Sequence, residues 1–244
     1  GIQNTELLQK MSFSGFVSEV FGRSQSRKDA LATKIRKEPF KVASPQDRVS
    51  SRTQQSLADV KTRRKQFATC EQYKEKSLTS DPMVKYMFRA LDRMGCKVDP
   101  WHFVSCVPCE DQVVGAMSSN EDGDVEVLMC QNHVKNQKNF NTVLTHELIH
   151  VFDTCRAHVD FTDCRHLACS EVRAANLSGD CWLSAELRRG NFGAYAHHQK
   201  CVKRRALMSV KYNPWCQGEG VAEHAVNDVF RQCMKDTAPF YAVP

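Results

Sequence analysis

The segment NFNTVLTHELIHVFDTCRAHVD, Asn139 to Asp160, decides how this chain folds. The spacing of its apolar residues predicts a helix over 141–157. Side chains four positions apart lie about 5–6 Å from one another on one helical face, so His146 and His150 can direct both imidazoles at one ion. Glu147 lies one step round the helix, where its carboxylate can reach water beside a metal without binding the metal itself.

This HExxH arrangement predicts a zinc hydrolase with Glu147 as its catalytic residue. A bound zinc ion polarises a peptide carbonyl and lowers the pKa of water toward about 7. Glu147 then takes the proton of the attacking water as a general base and passes it to the leaving amine. A donor that stabilises the oxyanion is also needed, and the candidates are Arg156, Arg173 and Tyr195.

A catalytic zinc ion needs a third protein ligand and one open position. Glu171 lies 21 residues past His150 on the next predicted helix, and two antiparallel helices joined by a short turn would bring it back to the histidines. Asp153 is the runner-up, although a short carboxylate one turn along more naturally hydrogen-bonds a ligating imidazole. Four residues in or near the turn stay open as well: His158, Asp160, Asp163 and His166.

The rest of the chain predicts an α+β fold, with a small antiparallel sheet followed by a mostly helical C-terminal part. A helix is predicted over 53–77, and a second begins at Asp81-Pro82 and ends at Gly95. The predicted strands are WHFVSC (101–106), QVVGAM (112–117) and VEVLMC (125–130), with a turn at NEDGD (120–124). Further helices are predicted over 166–177, 181–189, 193–209 and 218–235.

The charge of the chain is unevenly distributed. Residues 1–66 contain 14 Lys and Arg against 6 Asp and Glu, whereas residues 67–244 contain 20 against 22. This predicts a basic N-terminal arm, partly extended or disordered, followed by one folded domain. A basic arm can bind nucleic acid, an anionic membrane surface or a targeting receptor. No apolar run approaches the roughly 20 residues that span a bilayer, so membrane contact is expected to be peripheral.

The twelve cysteines all lie in the second part of the chain, from Cys70 to Cys233. An even number distributed along one domain favours disulfides and an oxidising compartment. The alternative is a structural zinc site made of four thiolates, from Cys96, Cys106, Cys109 and Cys130.

Several blocks of sequence resemble one known family. They are VLTHELIHVFDTCRAHVDF (143–161), RHLACSEVRAANLSGDC (165–181) and HHQKCVKRRA (197–206), with HFVSCVPC (102–109) and VLMCQNHVKNQ (127–137) upstream. They resemble the mitochondrial inner-membrane zinc metalloproteases that process an ATP synthase subunit, a family that includes the vertebrate Ku-binding protein. The resemblance runs from about Cys70 to Phe240 and does not cover residues 1–66.

The resemblance implies a zincin-like endopeptidase of the mitochondrial intermembrane space, peripheral to the inner membrane. Such an enzyme removes the N-terminal leader of ATP synthase subunit 6 and assists assembly of the membrane sector, so that subunit and its assembly intermediates are the expected partners. His146 and His150 match the zinc ligands of the family and Glu147 matches its acid/base residue. Glu171 stays an inference from spacing.

The resemblance also bears on the cysteines and on the alternatives. Ten cysteines match family positions and imply five bridges, while Cys164 and Cys216 are additions that are expected to form a sixth.

One alternative function is a non-proteolytic assembly factor or stably bound subunit that retains the zinc fold, although an intact Glu147 argues for catalysis. A nuclear DNA-repair partner that uses the basic arm would have reduced thiols instead, and no nucleic acid is expected as a partner of the protease.

Overall fold

The computed structural model of the chain describes residues 57–110, 112–119, 125–190 and 197–244. The helices are α1 (Leu57–Ser80), α2 (Pro82–Arg93), α3 (Gln137–Arg156), α4 (Cys164–Leu177), α5 (Leu183–Arg188), α6 (His197–Tyr212) and α7 (Val221–Cys233). The strands are β1 (Val104–Val107), β2 (Gly115–Ser119) and β3 (Val125–Cys130). The fold is therefore mixed α+β, with a small sheet before a helical C-terminal part, as predicted. Within the described ranges, no helix is long and apolar enough to cross a membrane.

The predicted division of the chain at residue 66 stays a prediction. Residues 1–56 of the expected arm lie outside the described residues, and α1 begins at Leu57, within the segment assigned to the arm. The first turn of α2 follows the expected capping chemistry. The side chain of Asp81 accepts hydrogen bonds from the backbone N–H groups of Met83 and Val84, each at 3.0 Å, and Pro82 occupies the first helical position.

The sheet has the strand order β1-β3-β2, and the prediction of a wholly antiparallel sheet is wrong. Strands β2 and β3 form the expected antiparallel hairpin, whose turn at 120–124 lies outside the described residues, but β1 pairs with β3 in parallel. The chain leaves β1 at Val107 and crosses to the far edge of the sheet, where β2 runs opposite to β1. Because β3 in turn runs opposite to β2, it has the same direction as β1. The predicted strand 101–106 is also shortened, because Pro100–Phe103 form a helical turn capped by Asp99.

Two hydrophobic clusters form the core, and α4 belongs to both. The first cluster packs α1, α2 and the sheet around the inner face of α3, where Leu144 and Leu148 are fully buried. The second cluster packs α4 against α6 and α7. Ala174 and Leu177 of α4 lie in the first cluster, whereas Ala168 and Val172 lie in the second. Helix α4 therefore joins the two halves of the domain.

All twelve cysteines form disulfides, and none is free. The pairs are Cys70–Cys106, Cys96–Cys155, Cys109–Cys130, Cys164–Cys216, Cys169–Cys233 and Cys181–Cys201. The disulfide prediction is confirmed, including the sixth bridge between the two additional cysteines. The alternative of a thiolate zinc site is wrong, because each of its four proposed ligands has a disulfide partner.

We expect the Cys96–Cys155 bridge to stabilise the domain by fixing the C-terminal end of α3. It closes a loop with a sequence separation of 59. Replacing both cysteines with alanine should lower the free energy of unfolding by about 2–5 kcal/mol, because the unfolded chain regains the entropy that the bridge removes. Denaturant unfolding of the two proteins measures this difference. Alkylation of either cysteine in the unreduced wild-type protein would contradict the pairing.

Candidate metal centre

Helix α3 brings the three residues of the HExxH segment to the base of one cleft. The helix begins after Asn136, whose side chain accepts a hydrogen bond from the backbone N–H of Asn139 at 2.9 Å. Its apolar face is buried in the core, so the opposite stripe faces the cleft. The ring centroids of His146 and His150 lie 4.8 Å apart, with the ring planes at 81°. The two imidazoles converge, as the spacing of one helical turn predicts.

Glu171 of α4 completes a cluster with these two imidazoles. Its Oε2 lies 3.4 Å from Nε2 of His146, and its Oε1 lies 3.6 Å from Nε2 of His150. The three groups can each offer one ligand atom, and these atoms all lie within 4.8 Å of one another. Two ligands that bind one zinc ion at about 2.0–2.1 Å in tetrahedral geometry lie about 3.3 Å apart. The cluster therefore has the dimensions of a metal site.

The buried carboxylate of Glu171 provides a test of whether these residues fit a cation. Its Oε2 is inaccessible to solvent and has no hydrogen-bond donor. Burial raises the pKa of Glu171, but the charges of His150 and His146 outweigh burial and keep this pKa below its usual range. A buried carboxylate oxygen without a donor is costly, and a bound cation removes that cost. The donor set of two imidazoles and one carboxylate fits a metal ion.

A hydrogen-bonded chain orients the imidazole of His150. The hydroxyl of Ser170 donates to Oδ2 of Asp153 at 2.9 Å, so its oxygen is free to accept from Nδ1 of His150 at 2.7 Å. The proton of the neutral ring then resides on Nδ1, and the lone pair of Nε2 faces Glu171. This assignment follows from the direction of the hydrogen bonds. Ser170, which the sequence analysis did not identify, therefore selects the ring nitrogen that can bind a metal.

Asp153 lies behind the metal cluster, in the position that a carboxylate supporting a ligating imidazole would occupy. It is fully buried and accepts hydrogen bonds from Nε of Arg173 at 2.9 and 3.1 Å and from Nε of Arg156 at 3.1 Å. These contacts hold it away from the cleft, so the structure brings Glu171 rather than Asp153 to the histidines. The two arginines proposed as oxyanion donors also belong to this buried network, and Tyr195 lies outside the described residues.

The other candidate ligands lie in the turn between α3 and α4 or in the first turn of α4. Asp163 caps α4 by accepting a hydrogen bond from the backbone N–H of Arg165 at 2.8 Å. Asp160 accepts from Thr162, and its own backbone N–H donates to Nδ1 of His166 at 3.2 Å. Within the described residues, neither these side chains nor His158 join the group that could hold a metal ion.

Glu147 is enclosed between α3 and the edge strand β2. A Cβ atom at Gly115 would lie 2.6 Å from Cγ1 of Val143 and 3.4 Å from Cγ of Glu147, so only glycine allows the strand to pass this close. Burial raises the pKa of Glu147 above its usual range, although the charges of His146 and His150 oppose this shift. A carboxyl group with a raised pKa is suited to proton transfer near neutral pH.

The cleft above the metal cluster has a volume of about 460 Å³. One wall is the chain from Gln112 to Met117, which includes the first residues of β2. The other wall comes from α6 and from residues just before and just after α5. The second wall carries residues that the sequence analysis missed, namely Asp180, Arg189, Arg205 and Ser209. No spacing rule connects them to the histidines, because they come from other elements.

The environment of His146 shows that Asp180, one of these residues, acts on the metal cluster. Burial lowers the pKa of His146, but the adjacent Glu171 carboxylate outweighs burial, and the charges of Glu147 and Asp180 add to the effect. The pKa of His146 is thereby raised to about 9. The cleft is negatively polarised at its base, which favours a cation there.

Comparisons with known proteins point to one family. The model of the Peptidase M76 family matches residues 68–241. The human mitochondrial inner membrane protease ATP23 homolog is 46% identical over 170 residues, which cover 69% of this chain and 68% of that protein. The Xenopus laevis homolog is 44% identical, covering 72% and 73%. The Schizosaccharomyces pombe protease atp23 is 38% identical, covering 72% and 93%. No solved structure matches the chain.

We predict that Ser170→Ala weakens metal binding. The variant removes the acceptor for Nδ1 of His150, so the ring loses its fixed orientation, and losses of this kind typically reduce metal affinity about 10–100-fold. Competition with a chromogenic chelator measures the affinity of the folded protein. Ser77→Ala is the matched control, because Ser77 is equally buried but bonds Asn141, away from the histidines. Equal affinities for both variants would disprove the orienting role of Ser170.

Proposed function

This chain belongs to the peptidase M76 family, a family of metallopeptidases, and on that premise we propose that it is a zinc-dependent endopeptidase with a zincin-like fold. The proposed ligands are His146, His150 and Glu171, and the proposed acid/base residue is Glu147. The observation that carries the proposal is the convergence of three ligand atoms within 4.8 Å around a carboxylate oxygen that has no other partner.

Zinc is the metal that this donor set favours. Two imidazole nitrogens and one carboxylate oxygen, with a fourth position open to a cleft, are typical of catalytic zinc in hydrolases. When bound, zinc supplies Lewis-acid chemistry that polarises a peptide carbonyl and makes water acidic. Structural zinc sites often use cysteine thiolates, but every cysteine of this chain is part of a disulfide. The cysteines therefore do not compete for the ion.

Glu147 moves the proton in this proposal. Its carboxylate receives a proton from the attacking water and delivers it to the leaving amine. Burial raises its pKa, which makes it a stronger base than an exposed glutamate. The backbone of Met117 on β2 opposes this rise in pKa, so the strand that borders the cleft also affects the base.

The substrate is expected to lie along β2 as an extended peptide. Among the described residues, β2 pairs with β3 on one side only, and its chain lines the cleft. An extended segment can add to such an edge through backbone hydrogen bonds, which place the bond to be cleaved beside the metal cluster. Backbone pairing of this kind accepts many sequences, so selectivity has to come from side chains on the other wall.

The cellular role follows from the relatives and from the cysteines. The similar proteins are named mitochondrial inner membrane proteases. Six disulfides in one domain suit an oxidising compartment, which supports the intermembrane space, with peripheral association with the inner membrane. The resemblance to the family supports removal of the leader of ATP synthase subunit 6 and assistance in assembling the membrane sector.

Two glutamate variants separate chemistry from metal binding. Glu147→Gln should retain zinc, because this residue is not a ligand, but lower kcat/KM for a cleaved peptide about 10²–10⁴-fold, because the proton acceptor is lost. Glu171→Ala should lose both zinc and activity. Metal analysis and a fluorogenic peptide assay measure the two quantities. Full zinc affinity in the Glu171 variant would eliminate it as the third ligand, and full activity in the Glu147 variant would eliminate it as the base.

The substrate is tested in cells that lack their own relative of this chain. The wild-type chain should restore the processed N-terminus of ATP synthase subunit 6, and Glu147→Gln should leave the leader in place, because leader removal requires the base. The N-terminal mass of subunit 6 distinguishes the two forms. Retention of the leader in cells that contain active wild-type protease would show that the substrate is a different one.

A further inference from the structure

We propose that Arg205, held in place by Asp180, is a binding site for a carboxylate of the substrate. The ligand is an acidic side chain on the peptide, close to the bond that is cleaved. This inference rests on the proposed function for the peptide nature of the substrate, and it adds the residue that selects among peptides.

Arg205 has one anchored face and one available face. Its Nε lies 2.5 Å from Oδ2 of Asp180, a residue that is only 7% exposed. Its side chain lines the cleft and is 36% exposed. Within the part of the chain that the structure describes, no acceptor bonds the two Nη groups of Arg205. These groups therefore remain available to a ligand in the cleft.

Among the described residues, the charges that pair around Arg205 include one more guanidinium group than carboxylates. The carboxylate of Asp180 is shared between Arg205 and Arg189, and the carboxylate of Glu186 is shared between Arg189 and Arg204. Three guanidinium groups thus face two carboxylates. Burial raises the pKa of Asp180, but the charges of Arg205 and Arg189 outweigh burial and lower it, so Asp180 is ionised at neutral pH. An anion that enters the cleft completes the charge balance at Arg205.

The position of Arg205 indicates which anion it binds. Arg205 precedes Ser209 by one turn of α6, and Ser209 lines the cleft together with Glu171 of the metal cluster. The two positions are therefore about 5–6 Å apart along the helix surface. A donor that stabilises the oxyanion of the reacting carbonyl has to lie about 3 Å from that oxygen. Because Arg205 lies one helical turn beyond Ser209, we expect it to contact a part of the substrate farther from the cleaved bond. An acidic side chain near the cleaved bond fits this distance.

The chemistry of the guanidinium favours a carboxylate over a neutral amide. Two parallel N–H groups match the two oxygens of a carboxylate, and such charge-assisted pairs are about twice as strong as neutral hydrogen bonds. The ion pair with Asp180 already restricts the Arg205 side chain, so less conformational entropy is lost on binding. We therefore expect a preference of about tenfold or more for Glu over Gln at one substrate position.

Binding to the zinc-loaded Glu147→Gln protein tests this preference without cleavage. The probes are fluorescein-labelled peptide mixtures with amidated C-termini, in which one position at a time is fixed as Glu, Gln or Lys. Fluorescence anisotropy should give a Kd about tenfold or more lower for Glu at one position. Adding Arg205→Ala should reduce this ratio to about one, and Arg205→Glu should shift the preference to Lys. A second pair of mixtures, with free and amidated C-termini, distinguishes a terminal carboxylate from a side chain.

Arg204→Ala is the matched control, because Arg204 neighbours Arg205 on α6 and pairs with Glu186. It does not belong to the lining of the cleft, so this variant should keep the preference for Glu. Equal binding of Glu and Gln mixtures at every position, or equal loss of preference in both arginine variants, would overturn the inference. Failure of the proposed function is recognised separately, since the wild-type protein would then cleave none of these peptides.

Discussion

The buried ion pair between Asp153 of α3 and Arg173 of α4 is the constraint on which the metal cluster depends. Both side chains are fully buried, and every partner is supplied by the protein. Removing one partner of such a pair leaves a buried charge uncompensated, which typically costs about 3–5 kcal/mol. The two helices therefore have one relative register. That register matters because the two histidines lie on α3 and the carboxylate that meets them lies on α4.

Three consecutive residues of α4 show how one helix can meet several requirements. Successive residues point about 100° apart, so Cys169, Ser170 and Glu171 face different neighbours. Cys169 forms a disulfide to α7, Ser170 bonds both His150 and Asp153, and Glu171 faces the imidazoles. A small rotation of α4 would disturb all three contacts together. The helix is held from both sides of the domain, because it contributes to both hydrophobic clusters.

Local rules predicted the parts of the site that lie on one helix or on two adjacent helices. Spacing placed His146 and His150 on one face, and a helical hairpin brought Glu171 to them. The same rules missed Ser170, because the expected direct contact between Asp153 and an imidazole is replaced by a hydroxyl between them. The parallel direction of β1 and the partners in each disulfide depend on the path of the chain in space, which periodicity does not encode.

The two walls of the cleft recognise different parts of a peptide. The wall at β2 offers backbone groups, and Gly115 allows that strand to approach α3 at a distance that a side chain would prevent. Backbone groups are the same in every peptide, so this wall can fix the position and direction of a substrate but not its sequence. The opposite wall, on α6, carries a charged side chain held by a buried carboxylate. Separating the two tasks allows the second wall to determine selectivity while the position of the cleaved bond relative to the metal cluster stays the same.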